Sequence, residues 1–217
     1  MEYKRVDFRD QISKNKRKSF FLMVTIFIVF VLVGYVISLA TEPGYFFFFF
    51  SLTIVISLGY ILISFFKSDK IAIKSVGAKK ASKTKHKQFY SLVEGLTLAS
   101  GLPMPQLYVM PSKQINAFAA GRSPENSVVC VTQGTLEKLD KKELEGVLAH
   151  ELGHIGNYDV RYMTLITIMV GMVSILSQMF LRSLWFGSSR DRDKTIFVII
   201  GIILAILAPI IVYIVQM

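Results

Sequence analysis

Two histidines and a glutamate in residues 150–154 form the pattern H-E-x-x-H, the part of the sequence with the clearest chemical meaning. Residues four apart on an α-helix lie one turn above each other, so His150 and His154 can direct two imidazole rings at one metal ion. Glu151 follows the first ligand, where its carboxylate can accept a proton from a water molecule activated by the metal. The pattern predicts hydrolysis of peptide bonds with one zinc ion (Zn2+) per subunit.

A helix must hold these residues, and the sequence predicts one. Asp140, with Glu143 three residues later, is typical of a capping box at a helix start. The apolar residues that follow recur at helical spacing and predict a buried stripe, formed by Leu144, Val147, Leu148, Leu152 and Ile155. A pair of surface histidines on an amphipathic helix is the non-catalytic alternative.

The sequence contains no convincing third zinc ligand, although catalytic sites usually have three. Asp159 is the nearest carboxylate after the pattern, and we expect it to be an outer partner of a ligand or a helix-end contact. Asn157 and Val160 stand where the metzincin pattern needs glycine and a ligand, which excludes that class. His86 lies in a lysine-rich run and is expected to be solvated, and Cys130 is expected to be a small core residue.

The segment around this helix predicts a small mixed sheet with helices before and after it. Apolar spacing predicts a helix over residues 89–99 that ends at Gly101. Residues 106–110, 116–121 and 127–131 read as short strands bounded by turns. Residues 71–76 fit either a short strand or the tail of the preceding helix.

Four uncharged runs are long enough to cross a bilayer, which needs about 20 apolar residues of helix. They are residues 19–41, 43–66, 163–181 and 195–217. Glu42 alone separates the first run from the second. A chain of 217 residues is too short to bury four such helices in a soluble core. We therefore predict four membrane spans in two hairpins. The first span is expected to stay in the mature protein and not to be removed as a secretory signal.

The positive charge is concentrated beside these runs. Lys and Arg number 25 against 15 Asp and Glu, and they cluster before the first run and after the second. The positive-inside rule therefore places the amino terminus and the central segment in the cytoplasm. The +10 charge is better explained by attraction to anionic lipid headgroups than by nucleic acid, so the expected partner is the lipid bilayer.

The resulting fold class is α+β, mainly α, with four transmembrane helices in two hairpins and a small cytoplasmic zincin-like metalloprotease domain between them. The predicted organisation has four parts: a basic cytoplasmic amino terminus at 1–18, a hairpin at 19–66, the metalloprotease domain at 67–162 and a second hairpin at 163–217.

Several motifs together resemble one family, the HtpX membrane metalloproteases, which are relatives of the CAAX prenyl proteases. They are N-A-F-A-A-G at 116–121, V-V-C-V-T-Q-G at 128–134, V-L-A-H-E-L-G-H at 147–154, Asn157 and Asp159. The resemblance implies a zinc endopeptidase of the bacterial inner membrane, with its active site in the cytoplasm. Its implied role is protein quality control, in which misfolded or damaged membrane proteins are cleaved without ATP.

The resemblance also implies roles for individual residues. His150 and His154 match the zinc ligands and Glu151 the catalytic glutamate. The strand that begins at residue 116 matches the edge strand on which an extended substrate can pair. The substrate-binding residues expected from it are Asn116, Ala117, Phe118 and Ala119.

In the HtpX family the third ligand is a glutamate of an E-x-x-x-D motif after the fourth span, which is expected beyond Met217. The sequence is therefore expected to be a truncated form that binds zinc weakly and has little or no peptidase activity alone. The alternative from another class is a non-catalytic membrane scaffold that binds client proteins through its cytoplasmic domain. A prenyl-protein protease is a less favoured alternative, because four spans are too few to enclose a large chamber.

Overall fold

The computed structural model describes residues 8–39 and 43–186. The predicted fourth span, 195–217, lies outside the described residues. That part of the prediction, and with it the second hairpin, stays a prediction.

The described chain begins and ends with helices, and its strands lie between them. In order, the elements are α1 (Phe8–Leu39), a 3₁₀ turn (Pro43–Tyr45), α2 (Phe46–Phe66), α3 (Ser68–Ser75), β1 (Lys79–Lys80), α4 (Lys87–Ser100), β2 (Gln106–Met110), β3 (Ala117–Ser123), β4 (Asn126–Thr132), α5 (Gln133–Lys138), α6 (Lys141–Gly156) and α7 (Asp159–Phe186). The mainly helical α+β class is confirmed. Residues 71–76, whose sequence fits either a strand or a helix tail, belong largely to the separate helix α3.

The chain divides into two compact units. One consists of Met1–Phe20 and Phe65–Leu165 and contains the sheet and the H-E-x-x-H helix. The other consists of Phe21–Ser64 and Ile166–Met217, and its described residues are almost entirely helical.

Two helices in the described residues are long and apolar enough to cross a membrane, at Arg9–Tyr35 and Pro43–Phe66. The first helix begins before the uncharged run because the Lys and Arg residues that precede it are good helix formers. The third predicted span, 163–181, lies within α7. That α7 crosses a membrane stays a prediction.

In the helical unit, α1 and α2 approach each other closely at Gly34, a residue of α1 that has no side chain. A Cβ added at Gly34 would overlap the side chain of Thr53, whereas one added at Gly59 would meet no atom within 4 Å. The rings of Phe30 and Tyr60 also contact each other, with centroids 5.7 Å apart. Small residues of this kind allow two membrane helices to pack backbone to backbone.

The described residues form one four-stranded sheet in the order β1-β2-β4-β3. β2 and β4 run parallel, while β1 pairs antiparallel with β2 and β3 pairs antiparallel with β4. The predicted small mixed sheet is confirmed, and β3 forms one of its edges. The predicted strand at 116–121 begins one residue later and extends to Ser123.

Alternate residues of the strands pack on opposite faces of the sheet. Val129 and Val131 join a core with side chains of α4 and α6, including Phe89 and Leu148. The opposite face has a smaller cluster, formed by Ile73, Ala120, Val128 and Cys130. The sheet is therefore covered by α4 and α6 on one side and by α3 on the other.

Helix α6 is fixed at its start and along one face, as the sequence predicts. Asp140 accepts hydrogen bonds from the backbone N–H groups of Lys142 and Glu143, at 2.7 and 2.8 Å, and the Glu143 carboxylate accepts one from the Asp140 N–H at 2.9 Å. Four residues of the predicted stripe are buried, Leu144, Leu148, Leu152 and Ile155. Because this face points to the core, the two histidines lie on the face that remains accessible.

Candidate metal and catalytic site

The two histidine rings of α6 meet at their Nε2 atoms. Nε2 of His150 lies 3.1 Å from Nε2 of His154, and the ring planes are 83° apart with centroids separated by 4.6 Å. His150 is exposed and the side chain of His154 is 43% exposed, so the pair opens to solvent. Without a metal, the two Nε2 atoms form a hydrogen bond in which one ring donates and the other accepts.

The same arrangement fits a shared zinc ion. Two nitrogens bound to one tetrahedral zinc at about 2.0–2.1 Å each stand roughly 3.3–3.4 Å apart. The observed separation of 3.1 Å is close to this value. His150 and His154 are therefore the residues that would hold the ion. Among residues 8–39 and 43–186, no group of three His, Cys, Asp or Glu side chains is placed to bind a metal.

Asp159 lies beside the second histidine. Its Oδ2 is 3.1 Å from Nδ1 of His154 and also accepts a hydrogen bond of 3.0 Å from the side-chain amide of Asn157. A carboxylate on Nδ1 favours the tautomer with its proton there and leaves the Nε2 lone pair for a metal. Asp159 is thus placed to orient His154.

The turn between α6 and α7 brings Asp159 back to the motif. α6 ends at Gly156, and Tyr158 has a φ of 61°, in the left-handed region that a residue with a Cβ seldom adopts. This conformation interrupts the helix between Gly156 and Asp159. The first residue of α7 can therefore face the last turn of α6.

Glu151 lies on the side of α6 that faces the sheet and is half-buried. Burial raises the pKa of its carboxyl group above the ordinary value of 4.5. A hydrogen bond from the Ala119 backbone and the nearby rings of His154 and His150 act in the opposite direction and only partly offset the burial. A carboxyl group whose pKa is moved toward neutrality can both accept and donate a proton.

The strand expected to bind substrate lies against this glutamate. Ala117, Phe118 and Ala119 are in β3 at the edge of the sheet, and Asn116 directly precedes it. The N–H of Asn116 faces the hydroxyls of Thr132 and Thr135, at 3.2 and 2.9 Å.

Further along the same edge, the N–H of Gly121 donates to the Thr164 hydroxyl at 3.3 Å. The N–H groups of Ala119 and Gly121 therefore have partners within the chain. Substrate pairing along the rest of the strand stays a prediction.

The remaining histidine and the single cysteine lie elsewhere. Nδ1 of His86 accepts a hydrogen bond of 3.1 Å from the Ser82 backbone, which closes the turn before α4. Cys130 is fully buried in the sheet, and burial raises the pKa of its thiol to about 11. Neither residue is part of the site.

Sequence reasoning missed the contribution of α1. The side-chain amide of Asn15 donates to the backbone carbonyl of Asn157, at 3.0 Å, and to Oδ1 of Asp159. Lys16 lies over the ring of Tyr158, 4.2 Å from its centroid. No local pattern indicates contacts between residues more than 140 positions apart.

Comparison with known proteins identifies the family to which this chain is similar. Residues 82–217 match the model of Peptidase family M48. The chain is 40% identical over 203 residues to a Protease HtpX homolog of Dictyoglomus thermophilum, covering 93% of this chain and 66% of the relative. It is also 40% identical over 211 residues to a Protease HtpX homolog of Caldanaerobacter subterraneus subsp. tengcongensis, covering 94% of this chain and 70% of the relative. The chain thus spans about two thirds of the length of these curated relatives.

Proposed function

Because the chain belongs to peptidase family M48, we propose that it carries the zinc-binding and proton-transferring residues of a membrane-anchored endopeptidase. The observation that supports this most directly is the convergence of His150 and His154, with their Nε2 atoms 3.1 Å apart and Glu151 between them in sequence. Two helices that are long and apolar enough to cross a membrane support the anchoring.

The proposed division of labour follows from the positions of the side chains. A bound zinc ion supplies Lewis acidity, which polarises a peptide carbonyl and makes water a stronger acid. Glu151 accepts the proton of the attacking water and later donates it to the leaving amine. Asp159 keeps His154 oriented, and the Ala119 N–H holds the Glu151 carboxylate in place.

The third ligand is proposed to lie outside the described residues. Catalytic zinc sites usually have three protein ligands, and the described residues supply two. Peptidase activity therefore depends on a further ligand. Two imidazoles alone should hold the ion weakly.

Replacement of Glu151 tests the catalytic part of the proposal. Glu151→Gln should lower the rate of peptide cleavage by about 10²- to 10⁴-fold, the usual contribution of a general base, and should leave the zinc content unchanged. Glu145→Gln is the matched control, because Glu145 is exposed on the same helix. The assay needs a protein with zinc bound and measurable cleavage, such as one that includes the third ligand. Equal cleavage by all three proteins would favour the scaffold alternative and reject the catalytic role.

The proposed location is the bacterial inner membrane, with the site in the cytoplasm. Lys and Arg residues flank the first two apolar helices on one side, which supports this orientation. A cysteine introduced at exposed Lys85 should react with a membrane-impermeant maleimide only after the cells are permeabilised, whereas one at exposed Gly44 should react in intact cells. The reverse labelling pattern would reject the orientation.

The proposed substrates are misfolded or damaged membrane proteins, cleaved in protein quality control. An apolar anchor places the site beside such substrates, and a β-edge binds extended chains rather than folded domains. Cleavage of a destabilised membrane protein, with its folded parent left intact, is the expected result. Equal cleavage of both would contradict this substrate class.

A further inference from the structure

We propose that Asn15, near the start of α1, is a positioning residue of the metal site that acts through Asp159 on His154. This inference rests on the proposed zinc site. It assigns to the first apolar helix a role beyond anchoring the chain, because the end of α1 that carries Asn15 contacts Asn157 and Asp159.

The amide of Asn15 is shared between the two ends of the short link from α6 to α7. Nδ2 donates to the carbonyl oxygen of Asn157, at 3.0 Å, and to Oδ1 of Asp159. One amide group has two N–H donors, and both have acceptors here. Asn15 thereby fixes the carboxylate relative to the end of α6.

The other oxygen of the same carboxylate faces the metal site. Oδ2 of Asp159 accepts from the Asn157 amide at 3.0 Å and lies 3.1 Å from Nδ1 of His154. A carboxylate rotates freely about its last bond unless both oxygens are held. The Asn15 hydrogen bond to Oδ1 therefore determines how well Oδ2 is directed at the histidine.

The neighbouring residues of α1 hold the same segment. Lys16 lies 4.2 Å from the ring centroid of Tyr158, the residue with positive φ, and Lys18 lies 5.4 Å from that of Tyr162. Left-handed backbone at a bulky residue costs energy and persists only where the surroundings support it. The contacts of Lys16 and Lys18 supply that support. Asn15 therefore acts on a connection between α6 and α7 that these contacts already hold in place.

The first test measures zinc affinity by competition with a chelator, using the full chain in detergent. Outer partners of zinc-bound histidines typically contribute 10- to 100-fold to metal affinity, so Asn15→Ala should weaken zinc binding about 10-fold. Asn15→Asp has the same shape but removes both donors and adds a like charge, so its loss should be larger. Ser13→Ala, at an exposed position of the same helix, should stay within about twofold of the unmodified chain.

A second test asks whether the effect passes through Asp159. With Asp159→Ala in the background, Asn15→Ala should cause no further loss of zinc affinity, since the group that it positions is gone. An equal loss in both backgrounds would overturn the inference. The absorption spectrum of bound cobalt gives a second readout, because it should shift in Asn15→Ala and Asn15→Asp but not in Ser13→Ala.

A loss of zinc affinity could also arise if the Asn15 variants unfolded, and circular dichroism tests this. Alanine is a better helix former than asparagine, so Asn15→Ala should keep the helical circular dichroism while it loses metal affinity. If the unmodified chain binds zinc and the Asn15 variants bind it equally well, this inference is wrong and the proposed function stands. If the unmodified chain binds no zinc, the proposed function fails and this inference fails with it.

Discussion

The backbone N–H of Ala119 donates a hydrogen bond to the carboxylate of Glu151. This contact joins the edge strand of the sheet to the glutamate of the H-E-x-x-H pattern. It means that the strand expected to pair with substrate also positions the expected base. The two roles can be separated by changing the backbone of the strand without changing the glutamate.

Ala119→Pro removes this donor, and an edge strand tolerates proline where its N–H does not pair with the sheet. A hydrogen bond to a charged group contributes about 1.5–3 kcal/mol, so kcat/KM for peptide cleavage should fall roughly 10- to 100-fold. Zinc affinity should not change. Ala119→Gly keeps the N–H and is the control; an equal loss of activity in that variant would contradict the role given to the hydrogen bond.

The three histidines should differ sharply in their effect on zinc. His154→Ala and His150→Ala each remove a proposed ligand, so affinity should fall by more than the roughly 10- to 100-fold typical of an outer partner. His86→Ala should leave it unchanged, because His86 accepts a hydrogen bond from the Ser82 backbone in a separate turn. Chelator competition measures all three, and a loss in His86→Ala would show that the site is wrongly assigned.

The capping box should contribute measurably to the stability of the unit that contains the sheet. Asp140→Ala removes the acceptor for the N–H groups of Lys142 and Glu143, at 2.7 and 2.8 Å. The free energy of unfolding should fall by about 0.5–2 kcal/mol, measured by denaturant titration. Asp140→Ser keeps an acceptor and should recover most of the loss. An Asp140→Ala variant as stable as the unmodified protein would mean that the cap is not needed.

Two glycines in the apolar helices should respond oppositely to alanine. Gly34→Ala places a methyl group against the Thr53 side chain and should destabilise the protein by about 1–3 kcal/mol, as overpacking does. Gly59→Ala meets no atom within 4 Å and should be neutral or stabilise α2 by up to about 1 kcal/mol. Thermal unfolding in detergent compares them. A stable Gly34→Ala variant would argue against close packing of α1 on α2.

The buried thiol of Cys130 should make the protein less stable at alkaline pH. Burial raises the pKa of its thiol from 9.0 to about 11, so the folded protein holds the proton more tightly than the unfolded chain. Stability should therefore decrease as pH rises from 9 to 11, by up to about 2–3 kcal/mol. Cys130→Ala removes this contribution while other groups still titrate. Below pH 9 the difference between the two proteins should be constant, since only the packing lost in Cys130→Ala remains, and a difference that does not change between pH 9 and 11 would reject the assignment.

The local elements were largely predictable from the sequence. The capping box, the stripe that begins at Leu144 and the left-handed Gly101 that ends α4 all depend on residues within a few positions of each other. The predicted strand at 106–110 is confirmed, and it too depends on neighbouring residues. Residues 71–76 were ambiguous because a short apolar segment suits a strand or a helix, and only packing on the sheet decides between them.

The sequence alone determined the H-E-x-x-H helix and the apolar segments, because spacing along the chain sets which residues share a helix face and how long an uncharged run is. Only the tertiary structure decided that Ala119 holds Glu151 and that Asn15 holds Asp159. The first contact spans 32 positions and the second 144. Such contacts depend on how the strands and helices pack, and no local pattern of residues encodes them.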